Sequence, residues 1–276
     1  MPLLVHIPTD FPYTAELFQT SSTPPLRYAQ AHSIQEAHII LRCDGDAIVI
    51  EPCTPAMRKC YQETRLPLKD STNLPASLDG VAHFFQLLDR CNEASPLRGI
   101  TLEMHRLLGD FPHHMPDSTV GHEGNMVKDG AVLFASEQGA KYGFTIRNSS
   151  AEDLFPYLFY FDPDDYSIQI WYSPNPRGSV PPLLKSGGTA TVGMGTDRAF
   201  EFKLDPHLGQ SQSSGFLKLF VTTEDTREVT SIQQTSPFEQ GFPTNVRMIQ
   251  SVDPEKQLSR VSKWDALTVA LTMTAE

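Results

Sequence analysis

The second half of the chain is a series of short segments in which apolar and polar residues alternate, and this pattern constrains the fold most. Alternation with a period of two places successive side chains on opposite faces of a β-strand. Turn-forming residues separate the segments, since the chain contains 22 Pro and 17 Gly. The pattern predicts an antiparallel β-sandwich over residues 131–276. Its clearest predicted strands lie within Tyr142–Ile146, Leu158–Tyr172, Phe200–Leu204, Gly215–Val221 and Leu267–Met273.

The first half mixes strand and helix patterns. Two β-rich runs within residues 37–51 flank Asp44-Gly45-Asp46, which predicts a hairpin. Apolar residues at i, i+3, i+4 and i+7 predict a helix over residues 79–91, with Asp79 available as its N-cap. Residues 100–105 alternate again and predict a strand. We therefore expect a small α+β unit over residues 1–108.

Residues 109–130 show no sustained periodicity, and we interpret them as a loop or linker between the two units. His113, His114 and His122 lie here, and imidazole ligands suit zinc or non-haem iron. Pro112 and Pro116 break any helix that would hold these ligands at a fixed spacing. The sequence favours a solvated loop without a metal or other cofactor, and the three histidines are the candidate ligands under the alternative.

The charge of the chain limits its partners. It has 33 acidic and 22 basic side chains and a net charge of −11, which disfavours a nucleic-acid partner. No run approaches 18 apolar residues, so we expect no membrane span. The first eight residues lack the basic n-region and the apolar length of a signal peptide, so we expect a cytoplasmic protein.

No nucleophile motif is present in the sequence. The four cysteines form no C-x-x-C pair, and the patterns around Cys43 and Cys91 predict buried structural thiols. The serines within residues 211–214 lack the G-x-S-x-G elbow. We therefore expect a protein that is not an enzyme and has no catalytic residues.

Aromatic side chains concentrate on the predicted hairpin around residues 155–172. Strand alternation divides them between two faces, one of which forms core. The other face could bind a glycan or a protein ligand by stacking and apolar contact. The candidate binding residues are Tyr157, Tyr160, Trp171 and Tyr172.

Several longer segments carry a family resemblance. They are Phe11–Phe18, Ile39–Glu51, Leu102–Leu107, Tyr142–Ser150, Asp153–Asp162, Ile168–Pro174, Arg198–Leu204 and Ser214–Glu224. Together they resemble the C-terminal region appended to caspase-like (metacaspase-type) proteins of mushroom-forming fungi. The second half is also similar to a β-sandwich domain of unknown function that follows caspase-like domains in bacteria.

The resemblance implies a non-catalytic accessory or regulatory module that contacts a caspase-like cysteine protease, in cis or in trans. The proteolytic Cys and His of that family belong to an upstream domain, and neither of their motifs occurs here. No catalytic residue is therefore carried over to this chain. The alternative is a stand-alone recognition protein that binds a glycan or protein ligand through the aromatic face.

Overall fold

The structure, a computed structural model, describes residues 2–13, 17–18, 26–60, 64–68, 73–93, 97–174, 183–185, 187–204, 211–239 and 263–275. The fold is rich in β-structure, with three sheets and one long helix. Among the described residues, no helix is long and apolar enough to cross a membrane.

The chain divides into two compact units that are not sequential halves. The first unit contains residues 1–90, 161–169 and 234–248, and the second contains the remainder. The predicted boundary differs from this division, because the strand at residues 100–108 pairs with the strand at 141–148 and both lie in the second unit. The predicted linker 109–130 also lies wholly in the second unit.

The first unit is built on a five-stranded sheet of order β2-β1-β3-β4-β5. Strand β1 runs parallel to β2 and to β3, whereas the pairs β3–β4 and β4–β5 are antiparallel. Its elements are β1 (Leu3–His6), β2 (Tyr28–Gln30), β3 (Ile39–Asp44), β4 (Ala47–Pro52), α1 (Pro55–Cys60), β5 (Thr64–Pro67) and α2 (Leu74–Leu88).

The predicted hairpin of residues 37–51 is confirmed as β3–β4. Gly45 occupies the turn with φ +62, a conformation that glycine adopts without steric cost. The first four residues of β4 are all buried, which identifies β4 as an interior strand.

The predicted helix is confirmed, but its start is wrong. Helix α2 begins at Leu74, with a proline in its first turn and Asn73 as N-cap, so Asp79 lies inside the helix. Burial raises the pKa of Asp79, and nearby Arg27 opposes that shift. The apolar stripe that predicted the helix faces the core, since Val81, Phe84 and other stripe residues are buried.

The second unit contains two sheets, of order β12-β9-β6-β7 and β11-β10-β13-β14-β8. Strands β10 and β11 form a hairpin whose turn, Phe161–Gln169, belongs to the first unit. The elements are β6 (Ile100–Leu108), β7 (Met115–Pro116), β8 (Ala131–Ala135), β9 (Lys141–Asn148), β10 (Phe155–Asp162), β11 (Ser167–Tyr172), β12 (Gly188–Val192), β13 (Gln212–Thr222), a 3-10 helix (Arg227–Ile232) and β14 (Trp264–Thr274).

The pairs β9–β12, β6–β9, β6–β7 and β13–β14 of the second unit are antiparallel. The longest ladder joins β13 to β14 from Gln212↔Thr274 to Thr222↔Trp264. Strand β8 pairs parallel to β14, so the all-antiparallel prediction is wrong there. The predicted strand 200–204 is also wrong, since Phe200 makes only an isolated bridge to Tyr142.

Both sheets contribute side chains to one hydrophobic core. Met104 and Phe144 enter it from β6 and β9, and Leu217, Leu219 and Val269 enter it from β13 and β14. The alternation separates buried from less buried residues in β8 and β14, whereas β13 is buried on both faces.

Candidate functional site

Three exposed apolar side chains cluster on the β6–β7 connection. Leu108 is 48% exposed, Phe111 65% and Met115 61%, and they are half of the six large hydrophobic side chains that are exposed in the described chain. Leu108 and Met115 are cross-strand partners, so their side chains lie on the same face of the hairpin. We call residues 108–115 the apolar tip.

The backbone of the apolar tip turns sharply after β6. Gly109 has φ +83, and a Cβ atom there would lie 3.1 Å from the carbonyl oxygen of His113. His113 N donates to Asp110 O at 2.7 Å and closes the turn. The exposed side chains are therefore held on an ordered turn.

Charged side chains surround the base of the apolar tip. Arg106 pairs with Glu137 at 2.6 Å, and Asp117 N donates to Arg106 O at 2.8 Å. The Asp117 carboxylate accepts hydrogen bonds from Thr119 N and Oγ1, and these bonds lower the pKa of Asp117. An apolar centre within a polar rim is the usual anatomy of a protein–protein interface.

The sequence does not predict the exposure of Leu108, Phe111 and Met115, because Leu108 ends the predicted α+β unit and residues 109–130 have no periodicity that assigns a face. The available signal was an aromatic residue between Asp110 and Pro112, within a segment rich in turn-forming residues.

A histidine and a threonine lie within hydrogen-bonding distance on the outward face of β6 and β9. His105 Nδ1 is 2.7 Å from Gly124 O, so Nδ1 carries the proton, and Nε2 accepts from Thr145 Oγ1 at 3.0 Å. A hydroxyl, a base and an orienting group in this order resemble an activated nucleophile. His105 and Thr145 are only 4% and 7% exposed, however, so the arrangement fixes the 117–126 loop on the sheet.

The environments of Cys43 and Cys53 disfavour their thiolate forms. Desolvation raises the pKa of Cys43, and the charge of Asp10 adds to the shift. Desolvation also raises the pKa of Cys53 despite the opposing effect of Arg58. A raised pKa leaves less thiolate at neutral pH.

The prediction of buried thiols is wrong for Cys43 and Cys91, which are both exposed. The pattern misled because Cys43 lies next to the β3–β4 turn and Cys91 lies beyond the end of α2. The side chain of Cys60 lies outside the described residues.

The candidate metal ligands of the 109–130 segment are not brought together. His113 and His122 are exposed, and His114 is half-buried beside an isolated bridge to Gly195. Over the described ranges, no group of three His, Cys, Asp or Glu side chains could hold a metal ion.

One of the four candidate aromatic binding residues lies in the interior. Tyr157 is 1% exposed, and its hydroxyl donates to Asp225 Oδ1 and accepts from Thr226 N, both at 3.0 Å. Burial raises the pKa of this phenol. The prediction that Tyr157 lies on a binding surface is therefore wrong, because β10 is buried along almost its whole length.

The other three candidates, Tyr160, Trp171 and Tyr172, are half-buried against the core. Trp171 stacks on Tyr160 with ring centroids 4.7 Å apart and on Phe200 at 4.4 Å. The protein itself supplies both stacking partners, so a sugar ring would have to displace one of them to stack on Trp171.

A shallow groove of about 260 Å³ opens beside β13 and β14. Its lining is Leu97, Arg98, Gly99, Ile100, Leu219, Val221, Asp265, Ala266 and Leu267. Small-molecule sites span roughly 300–1,000 Å³ and enclose most of the ligand. The groove is smaller than that range, and its charges are one cation and one anion.

Among these features, the apolar tip is the one whose exposure the fold itself does not explain. No protein-family model, no curated protein and no solved structure matches this chain.

Proposed function

We propose that this protein is a non-catalytic accessory module that acts by contacting another protein through the apolar tip. The observation that carries the proposal is the joint exposure of Leu108, Phe111 and Met115 on one ordered hairpin. Apolar anchors of this kind supply most of the affinity of an interface when they enter a pocket of the partner.

The partner in this proposal is a caspase-like cysteine protease domain, in cis or in trans. Its support is the resemblance of the strand and turn segments to regions that accompany such proteases. The raised thiol pKa values of Cys43 and Cys53 agree with a module that does not itself cleave peptides. We propose a β-sandwich for the second unit, supported by the core that its two sheets share, and a cytoplasmic location.

The association can be tested by purifying the full chain with the caspase-like proteases of its own organism and measuring their affinity. We expect the double variant Phe111→Ser, Met115→Ser to bind at least about 30-fold more weakly, because two apolar anchors contribute roughly 2 kcal/mol or more. Leu133→Ser is the matched control, since Leu133 is 72% exposed on β8, away from the tip.

Equal loss of affinity in the control variant would show that the apolar tip is not the contact. Failure of the unaltered chain to bind any of these proteases would remove the proposed partner. Hydrolysis of a caspase-type peptide by the pure chain, abolished by changing a single cysteine, would overturn the non-catalytic assignment.

A further inference from the structure

The turn of the β10–β11 hairpin is packed into the interior of the first unit, which is unusual for a turn. We call residues 161–169 the acidic tip, and all of them belong to the first unit. Tyr166, with φ +57, has no exposed surface, and its ring lies 5.3 Å from Phe84 and 5.7 Å from Phe238. Phe161 packs on Phe84 at 5.2 Å. The aromatic contacts hold the turn from two sides.

Side chains of the first unit also bind the backbone of the acidic tip. The carbonyl oxygens of three successive residues, 164, 165 and 166, accept hydrogen bonds from Thr64 Oγ1 at 3.4 Å, Ser236 Oγ at 2.9 Å and Gln234 Nε2 at 2.7 Å. The backbones of Ile168 and Gln234 exchange two further bonds, at 2.9 and 3.0 Å. The backbone of the tip is therefore held by specific partners.

The carboxyl groups of the acidic tip are less well satisfied. Asp162 Oδ1 accepts from Asp164 N at 3.0 Å, and Asp165 Oδ1 accepts from Ser167 N at 2.8 Å. Asp164 Oδ1 is buried and has no hydrogen-bond partner within the described part of the chain. A buried carboxylate without partners is costly, and binding a proton removes its charge.

Burial raises the pKa of Asp162 to about 6 and that of Asp164 to about 7. Negative neighbours add to both shifts, Asp165 acting on Asp162 and both other aspartates acting on Asp164. Carboxylates in hairpin turns are usually solvated, so the partial burial of these two is a departure from the usual pattern.

The other charged side chains on the elements that contact the tip pair with other residues or do not shift the pKa of Asp162 or Asp164. Those elements are β5, α2 and the segment 234–239, and their charged or titratable side chains are Arg65, Asp79, His83 and Glu239. Arg65 pairs with Asp44 at 2.8 Å, and Arg27 contacts both α2 side chains. No cation is among the groups that shift the two raised carboxyls.

We propose that the acidic tip is a pH-dependent switch within the first unit. It stays packed while Asp162 and Asp164 are protonated, and it loosens when both carboxylates are ionised. The packed and loosened states differ in conformation and in the protons bound to these two carboxyls, so the ligand of the proposed switch is the hydrogen ion.

The direction of the pH dependence follows from proton binding. In the packed tip, Asp162 keeps its proton up to about pH 6 and Asp164 up to about pH 7. In an opened, hydrated tip, an aspartate loses its proton near pH 4. Opening therefore releases protons. For each of the two carboxyls, the equilibrium constant for opening rises by up to about tenfold per pH unit between the pKa in the open tip and the pKa in the packed tip. The rise ends above about pH 7, where both states are ionised.

The test is amide hydrogen exchange of the full chain at pH 5.5 and pH 7.5, corrected for the intrinsic exchange rate at each pH. We expect peptides covering 161–169 and 234–239 to lose at least tenfold in protection at the higher pH. Peptides from β13, in the second unit, should change much less.

Asp164→Asn keeps the shape of the side chain but cannot ionise, so we expect most of the pH dependence to disappear. Asp46→Asn is the matched control, because Asp46 is an exposed aspartate in the β3–β4 turn of the same unit. It should behave like the unaltered chain.

Equal protection of the tip at both pH values in the unaltered chain would overturn the proposal, and so would an Asp164→Asn variant that retains the full pH dependence. If that variant unfolds the tip at both pH values, carboxyl-carbon NMR titration of the unaltered chain decides the question. Apparent pKa values below 5 for both Asp162 and Asp164 would then overturn it.

Discussion

The apolar tip and the acidic tip are both hairpin turns that contain Asp and Pro, yet they distribute their side chains in opposite ways. The apolar tip exposes Leu108, Phe111 and Met115. The acidic tip buries Tyr166 completely and half-buries Asp162 and Asp164. Turns usually do the reverse, because carboxylates are solvated at low cost and large apolar groups are not.

The contrast shows that the turn residues alone do not determine which side chains are solvated. The acidic tip is covered because residues distant in sequence, such as Phe84 and Ser236, contact its rings and its backbone. The apolar tip is an ordered turn whose large side chains remain in solvent. Each departure from the usual burial pattern therefore points to a different property, proton binding in one case and partner binding in the other.

The largest expected difference between the tips is in how much the loss of an aromatic ring lowers the free energy of unfolding. Tyr166→Ala removes a fully buried ring, and we expect it to lower the free energy of unfolding by about 3–5 kcal/mol. Phe111→Ala removes a ring that is already 65% exposed, and we expect a change within about 0.5 kcal/mol. The two variants form a matched pair, since each removes one aromatic ring from a hairpin turn.

Urea denaturation followed by circular dichroism and by tryptophan fluorescence can show which unit Tyr166→Ala destabilises. Both tryptophans, Trp171 and Trp264, lie in the second unit, whereas α2, the long helix, lies in the first. Helical circular dichroism should therefore respond to Tyr166→Ala more strongly than tryptophan fluorescence does. Equal stability of the two variants would contradict the contrast between the tips.

A second, smaller effect tests whether the apolar tip is an ordered turn. We expect Gly109→Ala to lower stability by about 1–2 kcal/mol, because alanine is strained at positive φ. The new Cβ atom would also lie 3.1 Å from the His113 carbonyl oxygen. Gly109→Asn should cost less, since asparagine tolerates this conformation. Thermal unfolding curves of both variants provide the measurement. If neither variant is less stable than the unaltered chain, the apolar tip is not an ordered turn.

The elements that could be predicted from the sequence are those whose side chains alternate or repeat locally. The β3–β4 hairpin, helix α2 and strands β9, β13 and β14 follow from such patterns, and all are present. The start of α2 was missed because residues 74–78 extend the helix upstream of its clearest apolar stripe. The two-residue strand β7 and the parallel strand β8 depend on pairing with distant partners, which no local pattern encodes.

The burial of the acidic tip could not be predicted for the same reason. The burial of the acidic tip depends on contacts made by residues about 80 positions away in the chain, such as Phe84 on Tyr166. Burial of that kind is a property of the tertiary fold. The aromatic residues of β10 and β11 were recognised, but alternation did not show that Tyr157 lies inside or that Tyr160 and Phe200 both stack on Trp171.

The smallest expected effect concerns a single hydrogen bond that holds the acidic tip. Ser236→Ala removes the hydroxyl that donates to Asp165 O at 2.9 Å, and we expect a loss of about 1 kcal/mol in the first unit. The matched control is Ser118→Ala, an exposed serine close to the apolar tip in sequence, which should have no measurable effect. If the acidic tip loosens at high pH, the loss caused by Ser236→Ala should shrink from pH 5.5 to pH 7.5, because the bond is already broken in part of the population. A loss that is the same at both pH values would mean that the bond to Asp165 is independent of the charge on Asp164.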